Sequence, residues 1–221
     1  AIIESSNDGY LMPESVSALL DAAGISRVEE RVVKSPDELI QAFDHMGGLV
    51  VMKVVGPVHK SDIGGVVLGV NSKKQALVEF DRLMKIDQTV AVLVQTMASG
   101  TELFAGAKKE DKFGHLVMAG LGGIFIEVLK DVNTGLVPLS EKEADTMIKS
   151  LRGYKLLEGV RGAEGVDIDK FREIILRVSL LLEAAPEIFE MDLNPLLGSA
   201  NNVVAVDARI RVESQGHAPQ V

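Results

Sequence analysis

Lys53 stands alone in a β-branched run, and the chain then opens into a loop carrying His59, Lys60, Ser61 and Asp62 before the glycine pair Gly64 and Gly65. A lysine inside an apolar strand costs burial energy unless its head reaches solvent or meets an anion. Two readings therefore stand for Lys53: an edge-strand lysine reaching water, or a contact to phosphate. The loop is longer than a tight hairpin requires. Its glycines let backbone N–H groups approach a phosphate, and Lys60 and Ser61 add charge and a hydroxyl donor. The spacing is not Gly-x-x-x-x-Gly-Lys-Ser/Thr, so this is no P-loop. His59 is either an ordinary hydrogen-bonded loop residue or a nucleophile, since a neutral imidazole near pH 7 can accept a phosphoryl group.

A second constellation is acidic. In FEMDLNPLLG and the following NNVVAVDAR, the residues Glu190, Asp192 and Asn194 alternate, so they project from one face if the strand extends that far. Asp207 is expected in the next strand, within reach through a hairpin. Oxygen ligands of this kind suit Mg²⁺, which takes one or two carboxylates and keeps substrate phosphates as further ligands. Polar residues on a solvent face would alternate in the same way. Glu102 reads most simply as an exposed strand glutamate. Gly122 and Gly123, in AGLGGIF, either make a turn or close over phosphates, and Arg161 in GVRGAEG is equally ambiguous. His45 is expected on a helix surface, His115 at a strand end and His217 in the tail.

These residues need elements to hold them. Three helix starts carry Ser-x-x-Glu/Gln: Ser35 with Glu38, Ser72 with Gln75, and Ser140 with Glu143. Apolar stripes follow each, such as Leu39, Phe43 and Met46 after Pro36 at the first helical position. The clearest stripe is Phe171, Ile174, Ile175, Val178, Leu181 and Leu182, and a further helix is expected from Pro13 to Ala23 with Gly24 as its C-cap. Between them lie RVEERVV, LVVMKVV, GVVLGV, VAVLVQT, ELFAGAKK, HLVMA, EIFEMDL and VVAVDAR, several of them almost continuously apolar, as strands covered on both faces are. The pattern is α/β or α+β. A Ser-Gly turn after VLVQTMASG suggests two lobes, residues 11–94 and 95–212, with 213–221 a disordered tail.

Composition limits what such a chain can bind. The 221 residues are 47% hydrophobic but only 4% aromatic, with no Trp, which leaves little for base stacking. The net charge of −9 repels a phosphate backbone on average, so nucleic acid is a poor partner, whereas a small anion such as ATP is compatible through local donors and a metal. No apolar run reaches the roughly 20 residues that span a bilayer. Without cysteine there are no disulfides or thiolate metal sites. With no signal-peptide pattern at Ala1, the expectation is a cytoplasmic protein that belongs to something longer.

Taken together, VVMKVVGPVHKSDIGGVVLGV, VLVQTMASGTELFAGAKKEDKFGHLVMAGLGGIFIEVLKDV, LLEGVRG and EIFEMDLNPLL with VVAVDARI closely resemble the ATP-grasp (β) portion of the NDP-forming acyl-CoA synthetases. That family includes ADP-forming acetyl-CoA synthetase and is related to the succinyl-CoA synthetase β subunit. The resemblance implies a two-lobed ATP-grasp fold that sandwiches Mg-ATP or Mg-ADP, and the reaction acyl-CoA + ADP + phosphate to acid + ATP + CoA through an acyl phosphate and a phosphohistidine. It assigns Lys53 to the nucleotide phosphates, His59 to the phosphoryl group, and the backbone of Gln95, Thr96 and Met97 to adenine. Glu102 is assigned to ribose, Gly122 and Gly123 to the nucleotide, and Asn194 and Asp207, with Asp192 less firmly, to Mg²⁺. Thr96 departs from the glutamate of VQEM in many members, at little cost if backbone makes the contact. The family also needs a CoA-binding domain and a ligase domain with its own phosphohistidine, for which this chain has no room. The resemblance thus implies a separate β subunit or part of a fused chain, with acyl-CoA and phosphate reached through that partner, in a hetero- or homo-oligomer. A second ATP-grasp carboxylate ligase, or a non-catalytic nucleotide-sensing module fused to an acetyltransferase, are the alternatives.

Overall fold

The computed structural model describes residues 2–3, 6–57, 63–123, 126, 128–160, 162 and 164–213. Contacts divide the chain into two units, a smaller one of residues 28–98 and a larger one of residues 1–27 and 99–221. The larger unit begins with β1 (Gly9–Tyr10) and α1 (Pro13–Ala23). The helix stops where Gly24 turns left-handed at φ 69°, its N–H returning to the carbonyls of Leu20 and Asp21. Val16, Leu19, Leu20 and Ile25 pack into the larger unit's core. The expected lobe 11–94 would have placed this helix with the smaller unit; its apolar stripe is used on the other side of the division.

The smaller unit runs β2 (Glu30–Val33), α2 (Pro36–His45), β3 (Val50–Val55), β4 (Val66–Val70), α3 (Lys73–Leu83) and β5 (Ala91–Thr96). Its antiparallel sheet has the order β2-β5-β3-β4. Val50, Met52, Val54, Val92 and Val94 point to one face and meet Leu39, Ala42 and Phe43 of α2 and Ala76, Phe80 and Leu83 of α3. Strand alternation sends Val51, Lys53, Val55, Leu93 and Gln95 to the opposite face.

The larger unit continues with β6 (Thr101–Glu110), β7 (Gly114–Leu121), β8 (Val132–Leu136), α4 (Glu141–Lys149), α5 (Tyr154–Leu157), α6 (Ile168–Ala184), β9 (Ile188–Gly198), β10 (Val203–Ala205) and β11 (Ala208–Val212). Its sheet follows β1-β11-β9-β6-β7-β8, with β10 on β9. Helices α1, α4 and α6 cover one face. Their stripes, including the fully buried Phe171, Ile175 and Ile148, meet Leu103, Ala105, Ala107, Val117, Ala119, Met191, Leu193 and Ile210. Register then dictates the other face. Leu136, Leu116, Lys108, Glu190, Arg211 and Tyr10 form one row across the strands, and Thr134, Met118, Gly106, Asp192 and Arg209 form the next.

The three serine-led helix starts are present, but they close differently. Ser140 accepts from the Glu143 N–H at 3.3 Å while Glu143 accepts from the Ser140 N–H at 2.8 Å, a complete capping box. At Ser35 and Ser72 the serine half forms, but the Glu38 and Gln75 side chains accept from the N–H groups of Lys34 and Asn71, one residue earlier. Two strands were not evident in the pattern, β1 and β8. The run VVAVDAR is not one strand: it breaks into β10 and β11, and Asp207 sits in the bend between them rather than within a strand. Among the described residues no helix is long and apolar enough to cross a membrane.

Candidate functional site

In the smaller unit, β3 lies between β5 and β4, so Lys53 is on an interior strand and is only 6% exposed. The edge-lysine alternative does not describe this position. Lys53 stands opposite Leu93 and Val66, and on the same face, one step along β5, is Gln95, 2% exposed. Gln95 is paired in register with Glu30, whose carboxylate accepts a hydrogen bond from Gln95 Nε2. The amide nitrogen of Gln95 is therefore engaged within the sheet, and its backbone lies between β2 and β3. Thr96 still donates its N–H to the Glu29 carbonyl at 3.0 Å; Met97, beyond the end of β5, is exposed. Glu30 was not singled out by sequence, where it is one acidic residue in VEER; only strand pairing brings it to Gln95.

His59 lies outside the described residues, as does the whole of residues 58–62, and so does Arg161. The chain on either side of 58–62 is well anchored. Gly56 has φ 124°, and a Cβ there would overlap the carbonyl oxygen of Gln88, so only glycine fits. On the return, Gly65 accepts from the Val54 N–H at 2.8 Å and Gly64 accepts from the Arg82 guanidinium at 3.0 Å. The two remaining described histidines are structural: His115 is buried and donates from Nε2 to the Ile188 carbonyl at 2.7 Å, and His45, at the end of α2, meets Glu29 at 2.8 Å.

In the larger unit the structure brings Glu102, Gly122 and Gly123 together. The Gly122 N–H donates to the Glu102 carbonyl at 2.8 Å. A Cβ on Gly123, at φ 55°, would overlap Glu102 Oε2. Gly122 is packed against the backbone of Glu102 and Leu103, and Gly123 is favoured by its left-handed backbone.

Asp192, Asn194 and Asp207 form the other cluster. Strand β9 does extend through Asn194, but Leu193 and Leu196 pair with Ala105 and Leu103, so two residues, Asn194 and Pro195, face the single Phe104. The bulge falls at Asn194 and Pro195, between Leu193 and Leu196, both of which face the helices. It also brings Asn194 to the bend: its N–H donates to the Asp207 carbonyl at 3.1 Å, and the Val206 N–H donates to the Pro195 carbonyl at 3.0 Å. Asp192 is opposite Gly106, against which the Phe104 ring lies. Burial pushes the Asp192 carboxyl up to about 6; Arg209 opposes the shift, and Asp207 and Glu190 add to it. One of its oxygens, Oδ1, is buried with no hydrogen-bond partner.

That orphaned oxygen tests whether a divalent cation fits. An acceptor buried without a donor costs about 1–3 kcal/mol, and a hard cation would relieve both that cost and the repulsion from Asp207. Among the described residues no three His, Cys, Asp or Glu side chains are grouped to enclose a metal. Two carboxylates and an amide are a partial shell, which is what Mg²⁺ takes when phosphate oxygens and water complete its octahedron. The donor set fits Mg²⁺.

A model of the ATP-grasp domain matches residues 3–212. The chain is 38% identical over 205 residues to acetate–CoA ligase [ADP-forming] II of Archaeoglobus fulgidus, covering 91% of this chain and 30% of that protein. It is 33% identical over 217 residues to the β subunit of acetate–CoA ligase [ADP-forming] I of Pyrococcus furiosus, covering 94% of this chain and 93% of that subunit. Among solved structures it resembles acetyl-coenzyme A synthetase 1 of Ca. Korarchaeum cryptofilum in complex with coenzyme A, Ca-AMPCP and HgCl⁺, at a TM-score of 0.90 and 34% identity over 95% of this chain and 96% of that one. Another structure of that synthetase, with coenzyme A and Mg-AMPPCP, has its phosphohistidine segment pointing towards the nucleotide-binding site; it matches at a TM-score of 0.83 and 33% identity over 95% of each chain. The chain thus spans about 30% of the length of the Archaeoglobus protein and nearly all of the Pyrococcus β subunit.

Proposed function

The chain belongs to the ATP-grasp domain family, and from that premise we propose that it is the nucleotide-binding, phosphoryl-transferring part of an ADP-forming acyl-CoA synthetase. The observation that carries this reading is its match along nearly the whole of a β subunit of such an enzyme. The reaction proposed is acyl-CoA + ADP + phosphate to carboxylic acid + ATP + CoA. Acyl chemistry and coenzyme A belong to a partner, either an α subunit or further domains of the same polypeptide.

In this reading the chain handles one phosphoryl group. In the ATP-forming direction, a phosphoryl group arrives on a ring nitrogen of His59. A terminal oxygen of ADP attacks it, the N–P bond breaks as the new P–O bond forms, and the imidazole is released. Lys53 holds nucleotide phosphates, and its burial on an inner strand strengthens its field on them. The backbone from Gln95 to Met97 takes the adenine edge. Glu102, set by Gly122 and Gly123, takes the ribose. Asn194 and Asp207, with Asp192, would hold Mg²⁺, which supplies charge neutralisation at the phosphate oxygens.

The test is to combine this chain with its synthetase partner, add γ-labelled ATP and Mg²⁺, and follow acid-labile label on this chain. Label is expected on the wild type and absent from His59→Ala. Label that persists undiminished in His59→Ala overturns the role of the histidine; a folded chain that binds no Mg-nucleotide overturns the function.

A further inference from the structure

The face of the larger unit's sheet opposite its helices carries three strand cations among the described residues, Lys108, Arg209 and Arg211. Two are neutralised locally. Lys108 pairs with Glu110 at 3.1 Å, and Arg211 pairs with Glu213 while its guanidinium lies 4.9 Å over the ring of Phe189. Arg209 differs. It is half-buried, directly opposite Asp192 in the β11–β9 register, and feels that carboxylate through space, yet its guanidinium makes no hydrogen bond or ion pair with any described residue. Its five N–H donors form a planar fork that matches two oxygens of a phosphate or carboxylate. Leaving that fork half-buried and unbonded costs free energy that an anionic ligand would recover.

The position says which anion. Arg209 follows Asp207 by one intervening residue on the strand leaving the bend, and Asp207 is tied to Asn194 through the backbone. A ligand that brings oxygens to a cation held by Asp207 and Asn194 brings its remaining oxygens to the next row of the same face, where Arg209 stands. A phosphoryl group, with three terminal oxygens, can give one to the cation and two to the planar fork, whereas a carboxylate that gives one to the cation has a single oxygen left for the arginine.

We infer that Arg209 is a phosphoryl-oxygen ligand, gripping the terminal phosphate of the bound nucleotide or a free phosphate beside the Asn194 and Asp207 cation site. The inference rests on the nucleotide reading proposed above and adds a residue to it. It also gives the arginine a task that a lysine would do less well, since a point charge on a flexible stem cannot bridge two oxygens.

The experiment is calorimetry on the full chain, wild type, Arg209→Ala and Arg209→Lys, with Mg-ATP, Mg-ADP, AMP and inorganic phosphate with Mg²⁺ as separate titrants. A charge-assisted contact predicts that Arg209→Ala weakens Mg-ATP by about tenfold or more, that Arg209→Lys loses less, and that AMP affinity is unchanged. Equal losses for Mg-ATP and Mg-ADP, with phosphate unaffected, assign the contact to the nucleotide; loss confined to inorganic phosphate assigns it to the free anion. Mg-ATP and phosphate affinities equal to wild type in both variants overturn the inference while leaving the nucleotide reading intact. A parallel loss for AMP overturns it too, by showing a general structural effect. Wild-type chain that binds no Mg-nucleotide removes both. If Arg209→Ala melts early, Arg209→Lys against wild type carries the same comparison through its Mg-ATP to AMP affinity ratio.

Discussion

At the scale of single residues, Lys53 is held by the fold on an inner strand at 6% exposure. Lys53→Met keeps the length of the side chain and removes its charge, and is expected to weaken Mg-ATP by about tenfold or more while leaving AMP affinity unchanged, read by calorimetry. Mg-ATP affinity equal to wild type would remove Lys53 from the phosphates. Gly123 bears on stability. Alanine there meets both a left-handed backbone and the Glu102 carboxylate, so Gly123→Ala is expected to cost about 1–2 kcal/mol and to displace Glu102. Glu102 is exposed and can swing away, which keeps the cost near the backbone figure. The check is a denaturant midpoint, with Mg-ATP affinity as the second reading; an unchanged midpoint would mean that the loop relaxes. His59 and its neighbours could be read from sequence only through chemistry and resemblance, and the described structure adds the anchors at Gly56, Gly64 and Gly65.

Elements explain how these residues come to be placed. The helices were legible because their signals are local: a serine beside its acceptor, a glycine that can turn left-handed, and a stripe repeating every turn. The caps should be energetically separable. Ser140→Ala removes one half of a closed capping box and is expected to cost about 1 kcal/mol, and Ser35→Ala should cost a similar amount, because in each the serine accepts the same N3 N–H group. Phe171, fully buried where α6 meets the sheet, is a different order of effect. Phe171→Ala is expected to cost about 3–5 kcal/mol through lost burial and the cavity left behind, measured by urea denaturation. The β9 bulge could not be read this way. Alternation places Glu190, Asp192 and Asn194 on one face, but it gives no sign that Leu193 and Leu196 both turn to the helices with Asn194 and Pro195 opposite the single Phe104. The choice belongs to the packing of two leucines against a core, and only afterwards to the polar residues that function uses.

On the scale of the whole chain, each of the two units has its own apolar core and carries its own set of candidate residues. The smaller unit holds Lys53, Gln95, Thr96 and Met97, and the larger holds Glu102, Gly122, Gly123, Asp192, Asn194, Asp207 and Arg209. Assayed alone, this chain is expected to bind Mg-nucleotide but to release no coenzyme A from acyl-CoA in the presence of ADP and phosphate; adding the synthetase partner should restore release, measured by thiol titration. Turnover by the chain alone would refute the division of labour proposed above. The sequence by itself determined five helices with their serine and glycine caps, though not α5, together with most strands and the family resemblance, because each rests on residues close together or on ordered motifs. Only the tertiary structure decided that Lys53 is on an inner strand, that Glu30 holds Gln95, that Asp207 sits in a bend, that α1 joins the larger unit, and that Arg209 is the strand cation left without a bonded neighbour among the described residues. Strand order, register and bulges are set by contacts between residues far apart in the chain, so no local pattern could carry them.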